Sequence, residues 1–384
     1  MKKIVLSREG IVIGAGSLEY LKTVCCQKAF IVTGGRSMLA SGVIARARDY
    51  LMEAGCKSVV YSGICKNPTM EEVEAGLSVM REEKPDVVIA IGGGSAMDAA
   101  KAMVLFYDFP MLNFENVLEK NLAGLIPANR STGLICVAST SGTGSEVTRG
   151  TVITDPKREL KMPIMTDCLR PDIAILDAEL AMTMPAVVAA ETGMDALTHA
   201  MEAYINHNLD DFDEVICKGA IVGILNNLEE SCLKPSLAAR EKIHHYQAMA
   251  GIGFANVGLG MVHGIAHSFG AVYNMAHGLT NAVILPYALE YNRRDPVVKE
   301  KLEELSYHCR CTDIVARIWE LRKTLGIPDS FSEAGMTETD FLEKRELLIA
   351  HAMLGATKVN PVDMTTENME KMVDAVYYGR KMED

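Results

Sequence analysis

The stretch Val87–Phe106, VVIAIGGGSAMDAAKAMVLF, indicates how the first half of the chain folds. Five apolar, mostly β-branched residues precede three glycines and a serine, and apolar residues at helical spacing follow. A short apolar run that ends at glycine is typical of a buried strand followed by a turn. The stretch therefore predicts a strand, a tight turn and a helix, which is the repeating unit of a parallel α/β sheet.

Similar units lie on both sides of this stretch. Further strands are predicted at Lys28–Thr33, Ser58–Tyr61 and Leu134–Val137. Helices are predicted at Ser37–Ala54 and from a capping box, formed by Thr69 and Glu72, to about Glu83. Strands that alternate with helices imply a mostly parallel sheet with helices on both faces.

The pattern changes after about Leu180. Pro185 suits a first helical turn, and long apolar-periodic segments then replace the β-branched runs. A chain of 384 residues is also long enough for two domains. The sequence therefore predicts an α/β, Rossmann-like domain over residues 1–180 and an all-helical domain over residues 181–384.

Composition excludes several classes of protein. With 38 Lys+Arg against 50 Asp+Glu the net charge is −12, which repels phosphate backbones and disfavours nucleic-acid binding. No run of about 20 apolar residues predicts a membrane span, and the chain reaches Arg8 and Glu9 too soon for a signal peptide. The ten cysteines form no CxxC, which favours free thiols in a reducing compartment, so a cytoplasmic location is expected.

Two glycine-rich turns are candidates for a dinucleotide site. Gly92–Ser95 follows a predicted strand and opens a helix, with Asp98 one turn into it, and Ser139–Glu146 follows the next strand. Glycines let the backbone approach a pyrophosphate, and a helix N-terminus attracts its charge. Each turn alone is equally well explained as a strand-to-helix connection, but two in one α/β domain favour phosphate or ribose binding.

A third turn bears on the choice of cofactor. Gly34–Ser37 lies after a predicted strand, where many dinucleotide sites have an acidic residue that binds the adenosine ribose. Here Gly35 is followed by Arg36 and Ser37, and no carboxylate repels a 2′-phosphate. The turn is either a plain connection with an exposed arginine or, as we favour, a site that prefers NADP(H) over NAD(H).

The second half carries a pattern of candidate metal ligands. Asp195 and His199 are four residues apart, which places them on one face of a helix. His263, His267 and His277 fall within fifteen positions further along. A carboxylate with three imidazoles suits a divalent metal such as iron or zinc, and the spare candidate is consistent with an open, catalytic site.

The segments Pro185–Tyr204 and Gly253–Pro286 resemble the signatures of the iron-dependent (group III) alcohol dehydrogenases. The turns at 92–95 and 139–148 fit that family as well. The resemblance implies a dehydroquinate-synthase-like fold. It implies that the metal ligands are Asp195, His199, His263 and His277, with His267 beside the metal and the nicotinamide as a proton-relay or positioning residue. It also implies cofactor contacts at Asn67, Gly93, Gly94, Ser95, Asp98, Ser139, Thr140, Thr148 and Lys161.

The resemblance also implies a reaction and its participants. A divalent ion, Fe²⁺ or Zn²⁺, would polarise the oxygen of a small primary alcohol or aldehyde, and a nicotinamide would exchange hydride with its carbon. Many NAD-using members carry Asp where this chain has Gly35, which favours NADP(H) and leaves NAD(H) open. Members of the family form homo-oligomers, so a dimer is expected. Phe254 is either an apolar wall for the substrate or a core aromatic residue.

Two other functions are compatible with these patterns. The first is a metal- and NAD-dependent lyase of the dehydroquinate synthase type, which needs a basic pocket for its substrate. The segment 253–286 contains no Lys or Arg, which disfavours this function. The second is a metal or nucleotide sensor without catalysis, which would not need two glycine-rich turns and an open coordination site.

Overall fold

The computed structural model describes residues 4–382, and the chain divides between Met184 and Pro185 into two compact units. The strands of the first unit are β1 Gly10–Ile13, β2 Lys28–Gly34, β3 Lys57–Ile64, β4 Val87–Gly92, β5 Gly133–Ala138, β6 Gly150–Asp155, β7 Leu160–Met165 and β8 Ile173–Leu176. Six of them form one parallel sheet in the order β1-β8-β5-β4-β2-β3. The other two, β6 and β7, form an antiparallel hairpin.

Six helices accompany this sheet: α1 Ser37–Ala40, α2 Val43–Glu53, α3 Met70–Glu83, α4 Gly94–Asp108, α5 Val117–Leu122 and α6 Ala178–Ala181. Every residue of β4 except the first is buried, as expected for a parallel strand covered on both faces. Ile31, Ile89 and Val137, from three adjacent strands, form a core with Leu51 of α2. The predicted Rossmann-like α/β architecture is confirmed.

The capping box predicted from the sequence is present at the start of α3. The Thr69 hydroxyl accepts a hydrogen bond from the main-chain N–H of Glu72 at 3.3 Å, and the Glu72 carboxylate accepts one from the Thr69 N–H at 2.9 Å. Two main-chain donors of the first turn are thereby satisfied. The helix then runs to Glu83, where the sequence predicted its end.

Other elements differ from the sequence-based expectation. The single helix predicted over Ser37–Ala54 is broken, because Gly42 adopts a left-handed conformation (φ 76°) between α1 and α2. The short edge strand β1 and the β6–β7 hairpin were not predicted. In β6 buried and half-buried residues alternate, the weak signal of a strand with one covered face.

The second unit consists of helices: α7 Ala186–Ile205, α8 Asp211–Leu233, α9 Leu237–Val257, α10 Met261–Tyr273, α11 His277–Asn292, α12 Pro296–His308, α13 Ile314–Thr324, α14 Glu338–Ala352 and α15 Thr366–Tyr378. Residues 185–382, the described part of this unit, contain no strand, in agreement with the predicted all-helical half. Pro185 is the N-cap of α7, one position before the predicted first turn.

Helix α7 lies at the centre of the helical unit. All its residues from Met194 to Ile205 are buried, as expected for a helix surrounded by others. It packs against α8, α9 and α11. Gly193 permits the close approach of α8, since a Cβ there would lie 2.1 Å from Leu228 Cδ1. The candidate metal ligands on α7 thus lie in the part of the helix that is packed on all sides.

Between residues 4 and 382, no single helix is long and apolar enough to cross a bilayer. The pair α9 and α10 meets the length and composition criteria together, but it is bent by 104°.

Candidate functional site

Four side chains of the helical unit converge on one point. Asp195 and His199 lie one turn apart on α7, while His263 lies in the first turn of α10 and His277 begins α11. One ligand atom from each residue lies within 4.8 Å of the other three. The structure thus brings together, from three helices, the four residues that the sequence resemblance implied as metal ligands.

The distances within this cluster fit a single ion. Asp195 Oδ1 lies 4.0 Å from the Nε2 of His199, 3.9 Å from that of His263 and 3.7 Å from that of His277. An ion with bonds of about 2.1 Å spans ligand atoms up to roughly 4.2 Å apart. One oxygen and three nitrogen donors make a set suited to Fe²⁺ or Zn²⁺.

Burial of the cluster is uneven. Asp195, His199 and His263 are at most 4% exposed, whereas the side chain of His277 is 26% exposed. A carboxylate buried this deeply requires a compensating charge, which a divalent cation would provide. The exposure of His277 leaves one side of the cluster open, as a catalytic metal site requires.

Glu202, which the sequence reasoning did not select, orients one of the imidazoles. Its Oε2 lies 2.5 Å from His263 Nδ1, and its Oε1 accepts a hydrogen bond from the main-chain N–H of Val262 at 2.7 Å. A carboxylate on one ring nitrogen leaves the other nitrogen for a metal. Burial raises the pKa of Glu202, while the main-chain N–H groups that donate to it act in the opposite direction and favour the carboxylate.

Asn281 is a second residue that sequence reasoning missed. It lies one turn after His277 on α11, is fully buried, and has its Nδ2 within hydrogen-bonding distance of three of the four candidate ligands. The helical spacing of Asp195, His199 and Glu202 carries a signal that could have found the glutamate. His277 and Asn281 are likewise four residues apart, which places Asn281 on the same face of α11 as His277. An asparagine at this position, however, was not recognisable as a candidate from its residue type.

Two further rings lie against the cluster. Phe254 of α9 stacks on His199, with ring centroids 4.4 Å apart and an interplanar angle of 19°. His267, the predicted relay residue, stacks on His277 at 5.3 Å and is half-buried. The structure therefore places an apolar ring and a spare imidazole directly beside the candidate ligands.

The two glycine-rich turns of the first unit are neighbours. Strands β4 and β5 pair side by side, and the main-chain N–H of Ser139 donates to Gly92 O at 2.9 Å. A Cβ added to Gly93 would lie 3.2 Å from Thr140 Oγ1, and one on Gly94 would lie 2.8 Å from Thr143 Cγ2. The backbone of the first turn thus lies directly against the second turn, at the start of α4.

The donors at this junction fit an anion. The N-cap residue Gly93 has no side chain that could accept from the first N–H groups of α4, so this N-terminus keeps main-chain donors and its positive dipole end. Among residues 4–382, the buried Thr140 Oγ1 has no hydrogen-bond partner. Buried hydroxyls are normally paired. A phosphate at this helix N-terminus would satisfy both kinds of donor.

Other predicted cofactor residues lie along the same edge of the sheet. Gly35, Arg36 and Ser37 form the exposed turn after β2, and Asn67 follows β3. In a parallel sheet the carboxyl ends of neighbouring strands share one edge, where α/β proteins bind nucleotides. Lys161 of β7 donates to Asn67 Oδ1 at 3.1 Å, so the structure also brings these two residues together.

Asp98 and Thr148, two of the predicted cofactor residues, make hydrogen bonds within the protein. The Asp98 carboxylate accepts from Ser145 Oγ at 2.8 Å and from the Val152 N–H at 3.0 Å. Thr148 accepts from the buried ammonium of Lys101 through both its carbonyl and its hydroxyl, at 3.0 and 3.3 Å. These bonds hold the loop that follows β5 in place.

Lys101 is the centre of this network. Its ammonium is fully buried on α4 and also donates to the carbonyls of Ser145 at 2.6 Å and Gly150 at 2.8 Å. Burial lowers the pKa of Lys101, and the nearby Asp98 carboxylate opposes that shift. No sequence pattern singled out this lysine, because its carbonyl partners come from a loop more than forty residues further along the chain.

The first unit has a parallel sheet whose carboxyl edge can bind an anion, and the second has an aspartate–histidine cluster that is open on one side. Together these features are typical of an enzyme that uses a metal ion and a nucleotide cofactor. The family model "Iron-containing alcohol dehydrogenase" matches residues 9–178, and the model "Fe-containing alcohol dehydrogenase family, C-terminal" matches residues 189–377. The chain belongs to this family. It is a metal-dependent enzyme that interconverts alcohols and aldehydes with a nicotinamide cofactor.

Individual relatives resemble the chain over its full length. It is 37% identical to the NADPH-dependent butanol dehydrogenase of Clostridium saccharobutylicum, with 100% of both chains covered. It is 33% identical to an alcohol dehydrogenase of Thermococcus barophilus, covering 96% of this chain and 97% of the relative.

Among solved structures, the iron-containing alcohol dehydrogenase of Thermococcus thioreducens has a TM-score of 0.90 and 31% identity, covering 99% of this chain and 100% of the relative. The fold is therefore the dehydroquinate-synthase-like fold that the sequence predicted. Membership of the family agrees with the first of the three functions considered from the sequence.

Proposed function

We propose that this enzyme interconverts small aldehydes and primary alcohols with NADP(H), using Fe²⁺ or Zn²⁺ held by Asp195, His199, His263 and His277. The convergence of these four side chains from three helices carries the proposal. When bound, the divalent ion would polarise the substrate oxygen and the nicotinamide would exchange hydride with the carbon. The chain's own residues bind, orient and move protons around these groups.

His267 is proposed to carry the alcohol proton away. The ring is half-buried, stacks on His277 at 5.3 Å and lies 6.0 Å from the His263 ring, one turn earlier on the same helix. An imidazole can accept the substrate's proton on one ring nitrogen and pass a proton to water from the other. The position of His267, beside the ligands but outside their group of four, suits this role.

The cofactor phosphates are proposed to bind at the carboxyl edge of the sheet. The N-terminus of α4 and the Thr140 hydroxyl would hold the pyrophosphate. Arg36 and Ser37 would face the 2′-phosphate of NADP(H), with Gly35 in place of a repelling carboxylate. The NADPH dependence of the Clostridium saccharobutylicum relative supports this preference.

Phe254 is proposed to bound the substrate site. Its ring covers one face of His199 and remains partly accessible, so it offers an apolar surface beside the cluster. A small alkyl chain is the substrate group that such a surface binds. The name of the butanol dehydrogenase relative is consistent with substrates of this class.

The test is a reconstitution experiment. Chelator-treated protein is reloaded with Fe²⁺, with Zn²⁺ or with no metal, and aldehydes of two to six carbons are assayed with NADPH and with NADH. We expect turnover only in the metal-loaded samples and a kcat/KM for NADPH at least about tenfold higher than for NADH. Full turnover by the metal-free protein would contradict the proposal.

A variant isolates the relay role. His267→Ala should keep the bound metal but lower kcat and change its pH profile, because the protein then lacks the imidazole that exchanges the proton. A rate and a pH profile identical to those of the parent would exclude this role for His267.

A further inference from the structure

Asn281 makes an unusual set of contacts with the candidate ligands. Its Nδ2 lies 2.6 Å from Asp195 Oδ1 and 3.2 Å from the Nε2 of both His263 and His277. These are the atoms that would bind a metal. The amide nitrogen therefore covers the face of the cluster that these three ligands form.

The orientation of this amide follows from its neighbours. Asp195 Oδ1 is an acceptor, and an amide oxygen 2.6 Å from it would be repelled, so the NH₂ group must face the cluster. The carbonyl, Asn281 Oδ1, then points away, and among residues 4–382 it is buried without a hydrogen-bond partner. A buried carbonyl without a partner costs stability, so the contacts on the nitrogen side must compensate for it.

Those contacts have a clear electrostatic effect. The lone pairs of a carboxylate oxygen and two imidazole nitrogens repel one another when they are directed at one point. In the metal-free protein an N–H donor beside them offsets this repulsion and keeps the three ligand atoms together. When an ion takes up the imidazole lone pairs, the carboxylate oxygen still has a lone pair for the amide, so the bond to Asp195 continues to orient this ligand. Because Asn281 is fixed one turn after His277 on α11, it couples the ligands of three helices.

We propose that Asn281 is a positioning residue that pre-assembles the metal site: its amide nitrogen hydrogen-bonds Asp195 and, in the metal-free protein, keeps His263 and His277 beside it. The inference rests on the proposed metal site and adds to it a residue outside the ligand set. Loss of the amide leaves all four ligands in the chain but lets them separate. The affinity for metal therefore falls, while the number of ions bound per chain stays at one.

The test measures metal affinity rather than turnover. Zn²⁺ dissociation constants of the full-length, chelator-treated protein are determined by competition with a chromophoric chelator. Asn281→Leu keeps the volume and removes the donors, and we expect the dissociation constant to rise by about tenfold or more. Asn292→Leu is the matched control, since Asn292 lies on the same helix, is 2% exposed and bonds Asn360 rather than a ligand.

The outcomes separate the inference from the proposed function. A dissociation constant for Asn281→Leu within about threefold of the parent, or an equal loss in the control, would overturn the role of Asn281. Failure of the parent to bind Zn²⁺ would instead overturn the metal site itself.

A second variant covers the case in which Asn281→Leu does not fold. Asn281→Asp keeps the shape but places another lone pair beside the three ligand atoms, so the metal-free protein should melt at a lower temperature than the parent. Added Zn²⁺ should then raise its melting temperature by more than it raises that of the parent, because a cation relieves the repulsion. An equal or smaller rise would contradict the proposal.

Discussion

Glu202 Oε2 lies 2.5 Å from His263 Nδ1, and this contact determines which ring nitrogen of His263 faces Asp195. Both residues are at most 3% exposed. Since the carboxylate engages Nδ1, the Nε2 lone pair remains directed at the other three candidate ligands. The metal site thus depends on a carboxylate that is not itself among the ligands.

Replacing this carboxylate should weaken metal binding. Glu202→Leu removes the partner of His263 Nδ1 and leaves the ring free to change tautomer, so we expect the Zn²⁺ dissociation constant to rise about 10- to 100-fold. Asp213→Asn, a change at another buried acid of the helical unit, serves as the control. Equal affinities for the parent and Glu202→Leu, measured by chelator competition, would contradict this role.

The Thr140 hydroxyl should matter for cofactor binding and not for folding. Thr140→Val removes a buried Oγ1 that has no partner in the described part of the chain, so the free energy of unfolding should not fall. The dissociation constant of NADPH, measured by fluorescence titration, should rise about fivefold or more, which corresponds to the loss of about 1 kcal/mol.

Thr33→Val provides the contrast. The Thr33 hydroxyl donates to Ile91 O at 2.8 Å inside the sheet, so its loss should lower the free energy of unfolding by about 1 kcal/mol. Its effect on NADPH affinity should be small. If Thr140→Val destabilised the protein as Thr33→Val does, and left NADPH binding unchanged, the phosphate role of Thr140 would be wrong.

The buried ammonium of Lys101 should stabilise the first unit. Lys101→Met leaves the carbonyls of Ser145, Thr148 and Gly150 without their donor, so we expect the free energy of unfolding to fall by about 3 kcal/mol. Lys57→Met, at an exposed position on β3, should change it by less than about 0.5 kcal/mol. Urea unfolding followed by circular dichroism compares the two, and equal stabilities would refute the role of Lys101.

The turn after β2 should control the choice between the two cofactors. Gly35→Asp places a carboxylate where the 2′-phosphate is proposed to lie. Two like charges about 4 Å apart repel by about 1 kcal/mol in water and by more near a protein surface. The KM for NADPH should therefore rise about tenfold relative to the KM for NADH. Nothing lies within 4 Å of a Cβ at this position, so the side chain has room.

Backbone strain at this glycine requires its own control. Gly35 has a φ of 58°, which Asp and Asn tolerate better than most residues. Gly35→Asn introduces the same shape and the same strain without the charge. Equal effects of the two substitutions on the KM ratio would show that strain, and not charge, is responsible.

Much of the fold could be predicted from local patterns. The strand at Val87, the glycine turn and the capping box at Thr69 each depend on residues close together in sequence. The break at Gly42 was missed because a glycine between two apolar-periodic segments is compatible with either one helix or two. The β6–β7 hairpin was missed because neither strand has a continuous apolar run like the one that identified β4.

The site was predictable only in part. Asp195 and His199 share a helix face, and the histidine-rich segment is distinctive, so five candidates could be named from the pattern. The family resemblance then implied the four that converge. Glu202, Asn281 and Lys101 act through hydrogen bonds to atoms on other segments. No spacing along the chain reveals such partners, since they depend on how the helices and loops pack.

An anomalous difference map of crystals of the metal-loaded protein, recorded at the absorption edge of iron or zinc, is the most direct test of the metal site. We predict one peak per chain, about 2.0–2.2 Å from an oxygen of Asp195 and from the Nε2 atoms of His199, His263 and His277. A peak bound elsewhere, or no peak within reach of these four atoms in protein that contains one equivalent of metal, would contradict the prediction.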